Sequence, residues 1–105
     1  MITTTTHNIE GRPIQQYLGV ISAESIIGAN IFKDLLAGLR DIAGGRSNTY
    51  EKVVDEARSN AMNELAQKAQ SIGANAIVGI NLSFETLGGG SSMLMVTATG
   101  TAVRV

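Results

Sequence analysis

The sequence predicts an α+β domain in which an antiparallel β-sheet carries helices on one face. Runs of β-branched and alternating residues occupy both ends of the chain, and two segments between them repeat their apolar residues every three or four positions. Alternation with a period of two is typical of strands, whereas a period of about 3.6 is typical of helices. The predicted element order is β-β-α-α-β-β, within a single domain that covers residues 1–105.

Two strands are predicted in the N-terminal third of the chain. The segment Ile2–Thr6 is β-branched throughout, which favours a short strand. Gly11 and Pro13 then predict a turn. A longer strand is predicted over residues 17–28, where Gly19 indicates a β-bulge or a close approach of two backbones.

Two helices are predicted in the middle of the chain. The first has its apolar stripe over residues 31–42, with Asn30 as N-cap and Gly44-Gly45 at its end. The second covers Asn48–Ile72, and its first four residues have the spacing of a capping box. Gly73 is expected to end this second helix.

The C-terminal third predicts a β-hairpin. A strand over residues 76–84 leads to a glycine-rich turn, Leu87–Gly90, and then to a strand over residues 92–105. One face of the last strand carries the small residues Ala98, Gly100 and Ala102, so a helix can approach it closely. The second helix is correspondingly slim, with Ala57, Ala61, Ala66 and Ala69 on its apolar face.

The composition favours self-assembly. Charged residues make up only 16% of the chain, while 44% is hydrophobic, and globular domains carry about 25% charged residues. The last strand would reach roughly 45 Å if straight, which exceeds a compact domain of this size, so it must bend, for example at Gly100, or find neighbouring chains. Both features point to surface that is buried between subunits.

Charge and cysteine content exclude several function classes. Eight Lys and Arg face nine Asp and Glu, and the basic residues are scattered, so no nucleic-acid partner is expected. The chain has no cysteine, which excludes disulfides and thiolate metal sites. No signal peptide and no apolar stretch of about 18 residues is recognisable. We therefore expect a cytoplasmic protein without a membrane partner.

The most distinctive motif is Gly44-Gly45-Arg46-Ser47-Asn48-Thr49-Tyr50-Glu51. It resembles the GGRSxxYE signature of the YbjQ-like family of small bacterial and archaeal proteins. Residues 73–80 and 93–103 also look like the corresponding family segments, so the resemblance covers essentially the whole chain. It implies a dodecin-subunit-like fold and a ring-like homopentamer in which extra short strands help to join the subunits. The family is also labelled as a heavy-metal-binding domain.

The residues themselves give that label little support. Soft metals favour Cys, Met or His ligands, and His7 is the only histidine of a cysteine-free chain. Met93 and Met95 share a strand face and their thioethers suit Cu(I), but two weak donors do not close a site. In a ring, copies of His7 or Met93 could meet at a symmetry axis. The alternative is that the two methionines fill an apolar surface, and we expect no cofactor.

Arg46, Ser47 and Tyr50 are candidate ligand-binding residues. Free amides at a helix N-terminus favour an anion, and Arg46 could clamp a phosphate or carboxylate there. The favoured interpretation is structural: the motif forms a turn between two helices, and Arg46 pairs with Glu51 or with a carboxylate of a neighbouring subunit.

No catalytic constellation is recognisable. Tyr50 and Glu51 are adjacent in a helix, so their side chains point about 100° apart, and His7 lies near an N-terminus that is expected to fray. The helix carboxylates are expected to be solvated: Asp34, Asp41, Asp55, Glu56 and Glu64. The sequence therefore predicts a non-enzymatic homo-oligomeric ring, acting as a scaffold or binding protein. The alternatives are a small-ligand or anion binder at subunit boundaries, and a soft-metal-binding protein.

Overall fold

The computed structural model describes residues 1–28, Ile31, residues 48–87 and residues 93–105. Within these ranges the elements are β1 (Ile2–Thr3), β2 (Gln16–Ile27), α1 (Asn48–Ser71), β3 (Ala76–Leu87) and β4 (Met93–Arg104). The predicted α+β class is confirmed. The helix predicted over residues 31–42, apart from Ile31, and the predicted turn glycines 44–45 and 88–90 lie outside the described residues.

The four strands form one mixed sheet with the order β1-β3-β4-β2. Strand β4 pairs antiparallel with both β2 and β3. Strand β1 pairs with β3 in parallel, with Ile2 beside Ala76 and Thr3 beside Ile77. The prediction of an antiparallel sheet is therefore wrong at this edge. The chain traverses β2 and α1 before it returns to β3, and so long a crossover allows parallel pairing, which a hairpin does not.

The N-terminal strand is shorter than predicted, because β1 ends at Thr3 and not at Thr6. The following residues nevertheless stay against β3. The Thr4 amide donates to the Ile77 carbonyl at 3.0 Å, and the Gly79 amide donates to the Thr6 carbonyl at 2.8 Å. His7 lies beside Gly79. The expected fraying near His7 is therefore wrong, since backbone hydrogen bonds tie this segment to the sheet.

Helix α1 packs over β4 and β2 through small side chains. Its buried stripe recurs every four residues, at Ala57, Ala61, Leu65 and Ala69. The facing positions of the sheet are also small or β-branched: Ala23, Val96, Ala98 and Ala102. The close approach predicted from the alanines is confirmed, although Ala66 is only half-buried. Gly73 ends the helix as predicted, with the Ala74 amide bonded to the Ala69 carbonyl at 3.0 Å.

A β-bulge in β3 sets which residues face α1. Val78 pairs with Thr101 and Asn81 pairs with Thr99, so Gly79 and Ile80 together lie opposite Gly100. Gly79 has a φ of +63°, a conformation that side-chain-bearing residues rarely adopt. The additional residue resets the alternation, and as a result Ile77 and Ile80 both join the core under α1.

A second irregularity lies in β2, between Tyr17 and Gly19, as Gly19 indicated. The register of β4 has no break of its own at Gly100, where a bend was expected. The irregularities lie in the two strands that flank it, each close to the Gly100–Val103 stretch.

Among the described residues, the sheet face opposite α1 is covered at one end only. There Ala76, Val78 and Val103 form a second buried cluster, against which Ile9 and Ile14 of the N-terminal segment pack. We call the remainder of this surface the open face. By strand register it carries Val20, Ser22, Glu24, Ile26, Asn81, Ser83, Glu85, Leu87, Met93, Met95, Thr97, Thr99 and Thr101.

Replacing Gly100 should destabilise the fold, because its neighbours leave no room for a side chain. A Cβ at this position would lie 2.7 Å from Ile77 Cγ2 and 3.2 Å from Ile80 Cγ1. We expect Gly100→Ala to lower the free energy of unfolding by about 1–3 kcal/mol, the usual cost of overpacking, as measured by chemical denaturation. Gly28→Ala is the matched control, since a Cβ there meets no atom within 4 Å. Equal stability of the two variants would contradict this packing.

Candidate functional site

The signature motif is described only from Asn48 onward. Arg46 and Ser47 lie outside the described residues, and for Tyr50 only the backbone, in the first turn of α1, is described. Glu51 is exposed in that same turn. The anion site at Arg46, Ser47 and Tyr50 therefore stays a prediction.

The candidate metal ligands are far apart within one chain. His7 lies beside Gly79, which is opposite Gly100 of β4. Met95 is five positions along the same strand from Gly100, or roughly 17 Å at about 3.3 Å per residue. The neighbours of Met95 across the sheet are Glu85 and Ile26. Across the described ranges no group of three or more His, Cys, Asp or Glu side chains is placed to hold a metal ion.

The acidic residues of α1 are solvated, as predicted. Asp55, Glu56 and Glu64 are exposed, and two of them contact basic residues one helical turn away. Asp55 accepts a hydrogen bond from Arg58, and Glu64 lies 4.0 Å from Lys68 Nζ. Such exposed pairs contribute little to stability. Asp34 and Asp41 lie outside the described residues.

The sequence analysis missed a groove between α1, β3 and the N-terminal segment, which we call the β3 groove. Its volume is about 350 Å³, at the lower end of the range for ligand sites of roughly 300–1,000 Å³. Its floor is apolar and consists of Met62, Ile80 and Leu82. Its rim is polar and consists of Thr3, Thr4, Thr5, Arg58, Ser59 and Asn63. These residues come from three separate segments, so no local pattern in the sequence reveals the groove.

The groove exists because α1 does not lie centrally on the sheet. Its packing against β2 and β4 leaves the α1-facing side of β3 partly uncovered. Leu82 is only half-buried, and Phe84 is 46% exposed. An apolar strip of β3 is therefore accessible from the α1 side of the sheet.

The second accessible feature is the outer edge of β2. This strand of 12 residues pairs with β4 alone in the described sheet. Its large apolar side chains are unusually exposed: 70% for Tyr17, 82% for Val20 and 56% for Ile26. One lysine reaches the strand from the helix, because Lys68 Nζ donates to the Ser22 carbonyl at 2.6 Å.

Among the described residues, no helix is both long enough and apolar enough to cross a membrane. A crystal structure of a protein of unknown function from Pediococcus pentosaceus, a member of the DUF74 family, has a similar fold. The similarity covers 100% of this chain and 97% of that chain, with a TM-score of 0.65 and 20% sequence identity. A family model described as "Putative heavy-metal-binding", that of the YbjQ family, matches residues 1–105. Since this match spans the whole chain and agrees with the motif around Arg46, the chain belongs to the YbjQ family.

Proposed function

We propose that this chain is the subunit of a non-enzymatic homopentameric ring that acts as a cytoplasmic scaffold or binding protein. The observation that carries the proposal is the edge strand β2, with Val20 82% exposed. Ring assembly agrees with the resemblance to the dodecin-subunit-like, ring-forming fold.

A long exposed edge strand is unfavourable for a monomer. Its outward backbone groups have no strand partner in the described part of the chain, and such an edge promotes pairing with another chain. Monomeric proteins shorten or twist their edge strands, or place charged residues on them. In β2 the exposed positions carry Tyr17, Val20 and Ile26, and Glu24 is the only charged residue of the strand. This pattern favours burial of the edge in an assembly.

The two edges of the sheet favour a ring over a dimer. One edge is the long strand β2 and the other is the short β1, so β2 of one subunit can meet β1 of the next. Contact between two different surfaces generates a closed ring when the rotation between subunits permits it. The elongated shape supports the same conclusion: the radius of gyration is 16.6 Å, compared with about 13 Å for a compact domain of this size.

Soft-metal binding, the function in the family description, has one observation in its favour. Met93 and Met95 lie on the open face with their neighbours Leu87, Glu85 and Ile26. Two thioethers on one strand do not form a closed site. Metal binding would therefore be a property of the ring, in which several copies of Met93 or of His7 come together.

Light scattering behind size exclusion should report about five subunits for the wild-type chain, the count expected of the ring. Val20→Lys should shift the mass toward the monomer, because a lysine on an edge strand opposes strand addition. The matched control is Gln67→Lys, at an exposed position of α1, which should leave the mass unchanged. A wild-type monomer would refute the assembly, and another ring size would correct only the number.

Competition titration with Cu(I), Zn(II) and Cd(II) should find no stoichiometric metal binding. The physical reason is the donor set, which lacks thiolates and keeps His7 away from Met93 and Met95 within a chain. Met93→Leu/Met95→Leu and His7→Ala should then behave as the wild type does. One metal bound per chain or per ring, lost in either variant but kept in the control Met62→Leu, would establish the metal function instead.

A further inference from the structure

The β3 groove combines an apolar floor with one cationic group on its rim. The floor residues Met62 and Leu82 are half-buried, and Ile80 is 8% exposed. Among the described residues that line the groove, Arg58 is the only charged one. Apolar surface beside a few polar groups is the usual composition of a small-molecule site.

The groove also contains hydrogen-bonding groups that no other described residue engages. The hydroxyls of Thr4 and Thr6 bond to each other at 2.8 Å. By contrast, the side chains of Thr3, Thr5, Ser59 and Asn63 make no hydrogen bond to any residue that the structure describes. A polar ligand at the rim can therefore bond to them without displacing an existing protein contact.

Arg58 is oriented toward this role by its helical neighbour. Its Nη2 group donates to Asp55 Oδ1, in the preceding turn of α1. A guanidinium carries five N–H donors in a fixed planar arrangement, so this contact leaves other donors free. Asp55 itself does not line the groove. Part of the guanidinium is thus available to a second carboxylate.

From these observations we infer that the β3 groove binds a small organic monocarboxylate with a short aliphatic chain. The carboxylate lies against Arg58 at the rim, where the Ser59 hydroxyl and the Asn63 amide add neutral donors. The aliphatic chain lies on Met62, Ile80 and Leu82. A cationic ligand of the same shape is disfavoured by Arg58, and a fully polar ligand leaves the apolar floor without a partner.

Titration of ¹⁵N-labelled protein with hexanoate, butanoate and hexylammonium, followed by amide chemical shifts, tests this inference. Hexanoate should shift the amides of residues 3–5, 58–63 and 80–82. Each added methylene should tighten binding about fourfold, the equivalent of ~0.8 kcal/mol per buried methylene. Hexylammonium should bind at least tenfold more weakly than hexanoate. Equal binding of the two, or shifts confined to other parts of the chain, would overturn the proposal.

Substitution of Arg58 tests how much its positive charge contributes to hexanoate binding, independently of the shape of the groove. Arg58→Gln keeps a long side chain that favours helix, and it should weaken hexanoate binding at least tenfold. Lys52→Gln is the matched control, because it removes one positive charge from an exposed position of the same helix outside the groove. Hexanoate affinity should be unchanged in this control. Equal loss in both variants would indicate only a general charge effect, and no loss in Arg58→Gln would exclude the assigned carboxylate position.

This binding does not rest on the proposed ring. Val20 does not line the groove, so Val20→Lys should bind hexanoate as the wild type does, whatever its mass. If Val20→Lys loses assembly but still binds hexanoate, the result supports the proposed groove site. Loss of binding in a fully assembled Arg58→Gln variant would likewise leave the ring proposal intact.

Discussion

The close contact between α1 and the strands β2 and β4 determines most of this structure. Ala57, Ala61 and Ala69 meet a surface built from Ala23, Ala98 and Ala102. Small side chains on both sides let the backbones approach, and burial of the interleaved Leu65 and Val96 adds the larger apolar contribution. Since those alanines lie on β2 and β4, the helix is drawn to one side of the sheet.

That displacement has two consequences for function. The α1-facing side of β3 stays partly open, and the β3 groove forms there with Arg58 on its rim. The bulge at Gly79 completes the groove, because it turns Ile80 toward α1 and keeps Leu82 on the same face. On the other side, α1 packs against the inner face of β2, and Lys68 donates a hydrogen bond to the Ser22 carbonyl. In the described part of the chain, the outer edge of β2 pairs with no other strand.

The family description indicates metal binding, whereas the few soft donors of one chain do not form a metal site. The chain belongs to a family described as heavy-metal-binding. Yet Met95 lies five strand positions, roughly 17 Å, from Gly100, which is opposite the Gly79 that His7 contacts. The exposed apolar side chains of β2 instead favour contact between copies. An assembly would make the family description compatible with this small donor set. Neighbouring subunits would bring additional copies of the same soft donors to one place.

The sequence by itself determined the elements and the family. Local hydrophobic periodicity and the positions of glycines predict helix α1, its end at Gly73, the hairpin strands β3 and β4, and the alanine faces. The GGRSxxYE motif identified the family. The parallel pairing of β1 with β3, the bulge at Gly79, the seating of His7 against that bulge and the β3 groove were decided by the tertiary structure. Each of these depends on residues distant in sequence, such as Thr4 with Ile77 or Arg58 with Leu82. Periodicity reports which face of an element is apolar, but it does not report where one element lies across another.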